Sequence, residues 1–407
     1  MTEALIVDVV RTPRAKGKPG GTLSRIHPQQ LLAGTLAHLQ QRAGFDPGIV
    51  EDVITGCAAA EGDHGDCVGR LAVLAAGWPV TVPGVTLNRF CGSGQQAVNF
   101  AAMMIASGQA DVVVAAGVEM MSRYPANGRL TLDGGNRELR KRYPLIPQGI
   151  SADLIATVEG FSRIEVDAFA AESQNRAAAA ISEGRFKKSV VPVVDEHGSM
   201  VLDREELPRD SSVEQLAKLG PAFADLGRAV HDGYETTFDD SCKAVYPDVQ
   251  AVNHVHHAGN SSGIADGASA MLLASPRAVT AHGWKARARM RATAAVGSEP
   301  VIMLTAPSPA TRLCLQRAGM SASDVDLFEV NEAFAAVVLK FMRDLHLDQR
   351  NVNVNGGAIA LGHPIGATGP MLLATALDEL EHRDLQVGLV TMCTGAGMGT
   401  ATIIERI

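Results

Sequence analysis

A short segment used twice sets the tightest limit on what this chain can fold into. Gln41-Arg42-Ala43-Gly44 returns as Gln316-Arg317-Ala318-Gly319, and Val50-Glu51-Asp52-Val53 returns at the same spacing as Val325-Asp326-Leu327-Phe328. Each copy reads as a helix ending in glycine, an acidic turn and an apolar strand. A repeat at so long an interval predicts two similar α/β halves, each a sheet layered with helices. The alternation continues through strands at Ala4–Val10, Val112–Ala115 and Val387–Thr391 and helices over 95–107 and 368–382. The first of these helices, through Val98, Phe100, Ala101, Met103, Met104 and Ile105, is apolar almost all round. It is expected to lie buried between the halves, its methionines packing rather than ligating.

A second match sets Ser261-Ser262-Gly263-Ile264-Ala265-Asp266-Gly267-Ala268 against Cys393-Thr394-Gly395-Ala396-Gly397-Met398-Gly399-Thr400 at a much shorter interval. The first half therefore carries a long extra segment, placed at 120–250, with basic clusters at Arg140-Lys141-Arg142 and Arg185-Phe186-Lys187-Lys188. The expected units are 1–119 with 251–275, the insertion 120–250, and 276–407.

Charge narrows the partners. With 36 basic and 44 acidic residues, a net charge of -8, the chain of 407 residues has no broad basic field for nucleic acid or anionic lipid. Its cysteines, at 57, 67, 91, 242, 314 and 393, form no Cys-x-x-Cys pair, which disfavours a zinc ribbon or disulfide framework. The N-terminus enters a strand directly with no basic leader region, and no apolar run reaches membrane-spanning length. A soluble cytoplasmic protein with reduced thiols is expected.

Three glycine-dense loops carry reactive side chains. Cys91 stands in Asn88-Arg89-Phe90-Cys91-Gly92-Ser93-Gly94, just before a helix, where backbone N–H groups and the helix dipole favour a thiolate. The alternative is a small buried cysteine beside a turn. His363, in Leu361-Gly362-His363-Pro364-Ile365-Gly366, occupies nearly the equivalent loop of the second half and can take a thiol proton. Cys393 ends an apolar strand and opens Thr394-Gly395-Ala396-Gly397, where several N–H groups can converge on one anion. No P-loop lysine follows, and a dinucleotide fold has no room after it.

These loops, together with Asn331-Glu332-Ala333-Phe334 and the duplicated halves, resemble the thiolase family over essentially the whole length. The resemblance implies a layered αβαβα fold with an inserted loop domain. It implies that Cys91 is the nucleophile and acyl carrier, that His363 activates it, and that Cys393 is the acid/base for the α-carbon of the acetyl-CoA unit. It further implies that Asn331 holds a water that forms one oxyanion hole with His363, and that the N–H groups of Cys91 and Gly395 form the other. Ser262 matches the serine that meets the pantetheine arm, with Ala258 beside it. Arg209 and the basic clusters of the insertion are candidates for the phosphates of coenzyme A.

The segment His254-Val255-His256-His257 departs from the small residues or threonine usual in the family; no metal site is expected there, and His257 is expected to edge the pantetheine tunnel. Pro147-Gln148-Gly149 replaces the Tyr-His-Met-Gly pattern usual in biosynthetic acetoacetyl-CoA thiolases, so Gln148 is a candidate substrate contact. The implied activity is acyl transfer between a 3-ketoacyl-CoA and coenzyme A with release of acetyl-CoA. An acetyl-CoA acetyltransferase is the alternative; a carrier-protein condensing enzyme fits less well because of Cys393, as does a non-catalytic lipid-binding relative. The resemblance implies no cofactor beyond coenzyme A as substrate, and a homodimer or homotetramer.

Overall fold

Nine strands form a path that the repeat explains. The computed structural model of the chain describes residues 2–124 and 130–407. From one edge the order is Gly84–Leu87, Asp52–Gly56, Val112–Met120, Ala265–Ala274 and Leu5–Arg11, then Ala288–Gly297, Met398–Arg406, Val387–Thr394 and Leu327–Val330. Asp52–Gly56 pairs in parallel with both neighbours, as Leu327–Val330 does with Val387–Thr394, and the remaining pairs are antiparallel. The strand path passes from one half to the other where Leu5 pairs with Arg289 and Ile6 with Ala288. The counterpart of the edge strand Gly84–Leu87 has shrunk to one bridge between Phe328 and Val352.

The repeated tetrapeptide is a matched helix ending. Helices Pro28–Ala43 and Pro307–Ala318 each open on proline and stop where Gly44 and Gly319 turn left-handed, at φ of 65° and 68°. These helices cover the outer faces of their sheets: Leu32 and Leu36 pack in one core with Val53 and Val112, and Ala310 and Cys314 in another with Phe328 and Leu389. Helices Ser93–Ala106 and Thr368–Arg383 lie between the sheets, sharing a third core in which Val98 and Leu373 meet Ile54, Val113 and Val390. The result is the five-layer αβαβα arrangement.

The two central helices are not buried alike. Every residue from Thr368 to Leu380 is buried, whereas Phe100 and Met103 are 41% and 46% exposed. The expectation of full burial for the first helix is therefore corrected: one flank runs along an open rim that no described residue covers.

Residues 121–264 connect Val112–Met120 to Ala265–Ala274. Within them, helices Gln148–Glu159 and Arg163–Ser182, the latter opened by a Ser162/Glu165 capping box, pack onto the second half. Ile150, Leu154 and Val166 share its core with Val338 and Phe341. The corresponding strands of the second half are joined by Gly395–Gly397 alone. This revises the match of Cys393 with Ser261: Ala265–Ala274 and Met398–Arg406 are equivalent strands, but Cys393 belongs to the strand before the turn.

Candidate active site

Contact between the three loops is set by glycines. A Cβ on Gly94 would lie 2.3 Å from Gly366 O, and one on Gly92 would lie 2.8 Å from Thr394 Cγ2. Only bare backbone lets the Cys91 loop approach both the His363 and the Cys393 loops so closely. Cys91 follows Phe90, whose φ is 49°, and the turn is held by Ser93, which donates from Oγ to Phe90 O (2.6 Å) and accepts from Arg89 N (2.9 Å).

His363 is fixed at backbone and ring. Its N–H donates to Gly263 O at 2.8 Å, tying it to the loop that carries Ser262. Nδ1 lies 2.7 Å from Thr368 Oγ1, and Nε2 lies 3.4 Å from Asn331 Nδ2. A ring protonated at Nδ1 donates to the Thr368 hydroxyl and keeps its Nε2 lone pair facing the site. Burial, reinforced by the Arg14 guanidinium, drives the His363 pKa down to about 3. Arg14 is itself buried and shares Glu205 with Arg11, its Nη1 at 3.2 Å from that carboxylate and Arg11 Nη1 at 2.6 Å.

Burial also dominates the thiols. It pushes Cys91 up to about 11, although the N–H groups of Cys91 and Gly395 and the Gln148 side chain all act on the sulfur to favour its thiolate. Cys393 is raised further, first by burial and then by the negative charge of a Cys91 thiolate beside it. The two thiols are thus neighbours, and burial favours the protonated form of both. Gln148, inferred as a substrate contact, reaches the nucleophile itself.

Asn331 donates its backbone N–H to Thr391 O at 3.0 Å, and its buried Oδ1 accepts from no described residue. Next to it, buried Glu332 accepts from Ser173 Oγ (2.7 Å), Asn353 Nδ2 (2.9 Å) and Ile359 N (3.1 Å), fixing the strand end. Two positioning residues escaped the sequence reading. Thr368 orients the imidazole, and its signal was a hydroxyl one helical turn beyond a histidine. Buried Glu119 accepts from Ala58 N, Ala59 N and Gly366 N at 2.8, 3.1 and 2.9 Å, pinning the His363 loop to the first half. Its signal was a lone acid closing the otherwise apolar run Val112–Met120.

Half-buried Ser262, in the loop tied to His363, donates its N–H to Ala333 O at 2.9 Å. Exposed Arg209 donates from Nη2 to Ala258 O at 3.1 Å, so Arg209, Ala258 and Ser262 form one border. His257 does not edge a tunnel. It is 2% exposed, its Nε2 is 2.9 Å from Asp167 Oδ1, and its Nδ1 accepts from Gly259 N at 2.9 Å, so neither nitrogen is left for a ligand. His254 and His256 are occupied in the same way, each holding one oxygen of buried Asp153 at 2.7 Å. The histidine run stitches the insertion to the core.

The thiolase N-terminal domain matches residues 4–246 and the thiolase C-terminal domain residues 284–406. The chain belongs to the thiolase family. It is 43% identical to a steroid 3-ketoacyl-CoA thiolase of Mycobacterium tuberculosis, across 100% of this chain and 95% of that protein. Against a 3-ketoacyl-CoA thiolase of Serratia proteamaculans the identity is 40% over 100% of both. Among solved structures, the acetyl-CoA acetyltransferase of Bacillus anthracis superposes with a TM-score of 0.84 at 33% identity, covering 100% of this chain and 99% of that one. This thiolase is an acyltransferase acting between acyl-CoA and coenzyme A. Among the described residues, no helix is long and apolar enough to cross a membrane.

Proposed function

We propose that this thiolase cleaves 3-ketoacyl-CoA substrates longer than acetoacetyl-CoA through an acyl-enzyme on Cys91. The convergence of the Cys91, His363 and Cys393 loops carries the reading. Cys91 Sγ attacks the 3-keto carbon as its proton passes to His363 Nε2. The C2–C3 bond then breaks, its electron pair stays on C2 as the acetyl-CoA enolate, and Cys393 delivers its proton there. The thiol of coenzyme A next attacks the acyl thioester and gives its proton to the Cys393 thiolate, while His363 returns the first proton to the departing Cys91 sulfur. Every proton is accounted for, and the cycle needs no further cofactor.

Negative charge develops on a different oxygen in each half-reaction. Asn331 and His363 flank one position and the N–H groups of Cys91 and Gly395 the other, and losing one such donor costs about 2.7–4 kcal/mol. The Ser262, Ala258 and Arg209 border suits the pantetheine arm and phosphates. The open outer edge of Gly84–Leu87, with Val85 41% exposed, favours a homodimer, singly or in pairs. A cytoplasmic location fits a chain built around reduced thiols.

The direct test is incubation with acetyl-CoA followed by peptide mass spectrometry. An acetyl thioester on Cys91 is expected; an adduct elsewhere, or none while turnover proceeds, removes the assignment. Rates along a ladder of 3-ketoacyl-CoA lengths decide the chain-length reading, since activity confined to acetoacetyl-CoA would make the protein an acetyl-CoA acetyltransferase.

A further inference from the structure

A cleft of about 390 Å³ opens between the start of the insertion and the turn at Gly233, lined by Arg137, Arg140, Lys141, Leu145, Tyr234 and Glu235 among others. None of these side chains has a part in the chemistry above. Both walls nevertheless run into the nucleophile's surroundings. On one wall, Tyr234 Oη is 2.7 Å from Thr131 Oγ1, and the next residue, Leu132, covers Gly395, whose N–H acts on the Cys91 sulfur. On the other, Leu145 is three residues upstream of Gln148, the side chain that reaches that sulfur. Three residues of extended chain span at most about 11 Å, so the cleft is within reach of an acyl chain held on Cys91.

Its charge is unbalanced towards the cationic. Arg140 is committed to Asp133 at 2.6 Å and stacks on Tyr234, its guanidinium carbon 4.0 Å from the ring centre. Lys141 meets only Glu138, at 2.9 Å, in a pair so exposed that water screens it. Arg137, one helical turn before Lys141 on the same face, has no carboxylate partner among the described residues, and Glu235 is the only acid lining the cleft. The apolar floor at Pro144 and Leu145 suits methylene groups, and the Arg137/Lys141 rim suits an anion at their end.

We infer that this cleft receives the far end of the acyl chain and that Arg137 recognises a carboxylate there, so that ω-carboxylated 3-ketoacyl-CoA thioesters are preferred substrates. The inference rests on the proposed Cys91 acyl-enzyme. The test uses matched 3-ketoacyl-CoA pairs of about eight to twelve carbons, ending in methyl or in carboxylate. The wild-type protein is expected to favour the carboxylate member by roughly tenfold in kcat/KM, the size of one charge-assisted hydrogen bond. Arg137→Ala should erase that preference and Arg137→Lys should keep most of it, with acetoacetyl-CoA cleavage and the KM for coenzyme A unchanged in both. No preference in the wild type, or a preference surviving Arg137→Ala, overturns the inference. An equal rise in the KM for coenzyme A with every substrate also overturns it, assigning the charge to coenzyme A phosphates. Absence of an acyl group on Cys91 strikes the proposed function itself, whereas an acyl-enzyme without tail preference strikes the cleft alone.

Discussion

The same pair of antiparallel strands is closed in two very different ways. In the first half, Val112–Met120 and Ala265–Ala274 are joined through residues 121–264; in the second, Val387–Thr394 and Met398–Arg406 are joined through Gly395–Gly397. The short connection leaves no slack at the end of the strand that holds Cys393, the acid/base of the proposed mechanism, where an error of about 1 Å can cost on the order of 100-fold in rate. The long connection carries Gln148, which reaches the Cys91 sulfur, and Arg209, Ala258 and Ser262, which the proposed function assigns to the flexible parts of a coenzyme A thioester. On that proposal, reaction geometry sits where the backbone has no slack, and recognition where it has room to vary.

That division can be broken by experiment. Cys393→Ala strikes the strand end just before the short turn and should cost about 10²–10⁴ in thiolysis, the usual weight of general acid/base catalysis. The variant should still take an acetyl group on Cys91 but fail to exchange the α-protons of acetyl-CoA; normal exchange by NMR would remove Cys393 from its role. The second prediction concerns protonation. With Cys91 raised to about 11 and His363 lowered to about 3, the pair is neutral between those values. Alkylation of Cys91 by iodoacetamide should therefore climb roughly tenfold per pH unit from neutrality towards pH 11, since only the thiolate reacts. A plateau near pH 7 would mean a resting imidazolium–thiolate pair instead.

Smaller effects separate the two regions further. Thr368→Val removes the hydroxyl that orients His363 and should lower kcat by about tenfold with little change in KM, while Thr368→Ser restores it. On the long connection, Arg209→Ala should raise the KM for coenzyme A by a few fold and leave kcat intact. A kcat loss there, measured by steady-state kinetics, would blur the line between chemistry and recognition.

Much of this was legible in the sequence because the duplication placed distant loops together before any contact was known. Cys91 and His363 precede equivalent helices, and apolar strands delivered Asn331 and Cys393 to one end of their sheet. What the sequence hid depends on packing. Periodicity cannot tell a helix enclosed on every side from one at a rim, so the exposure of Phe100 and Met103 was invisible. The sequence offers His257 as an edge of the pantetheine tunnel, but its Nε2 is taken by Asp167, 90 residues upstream. Arg14 beside His363 had no local signal, because its neighbours come from three separated segments.

The turn at Gly395–Gly397 also has a consequence for how this sequence can change length. Ala396 and Gly397 both hold positive φ, at 60° and 73°, and a Cβ on Gly397 would strike Ser298 O at 2.7 Å. One added residue there would flip the side chains of the following strand to the other face or force a bulge beside Cys393. A library of single-residue insertions screened for growth should be empty across 394–398 and populated in the Asp195–Ser199 turn, recording in one experiment which half of the duplication has been free to grow.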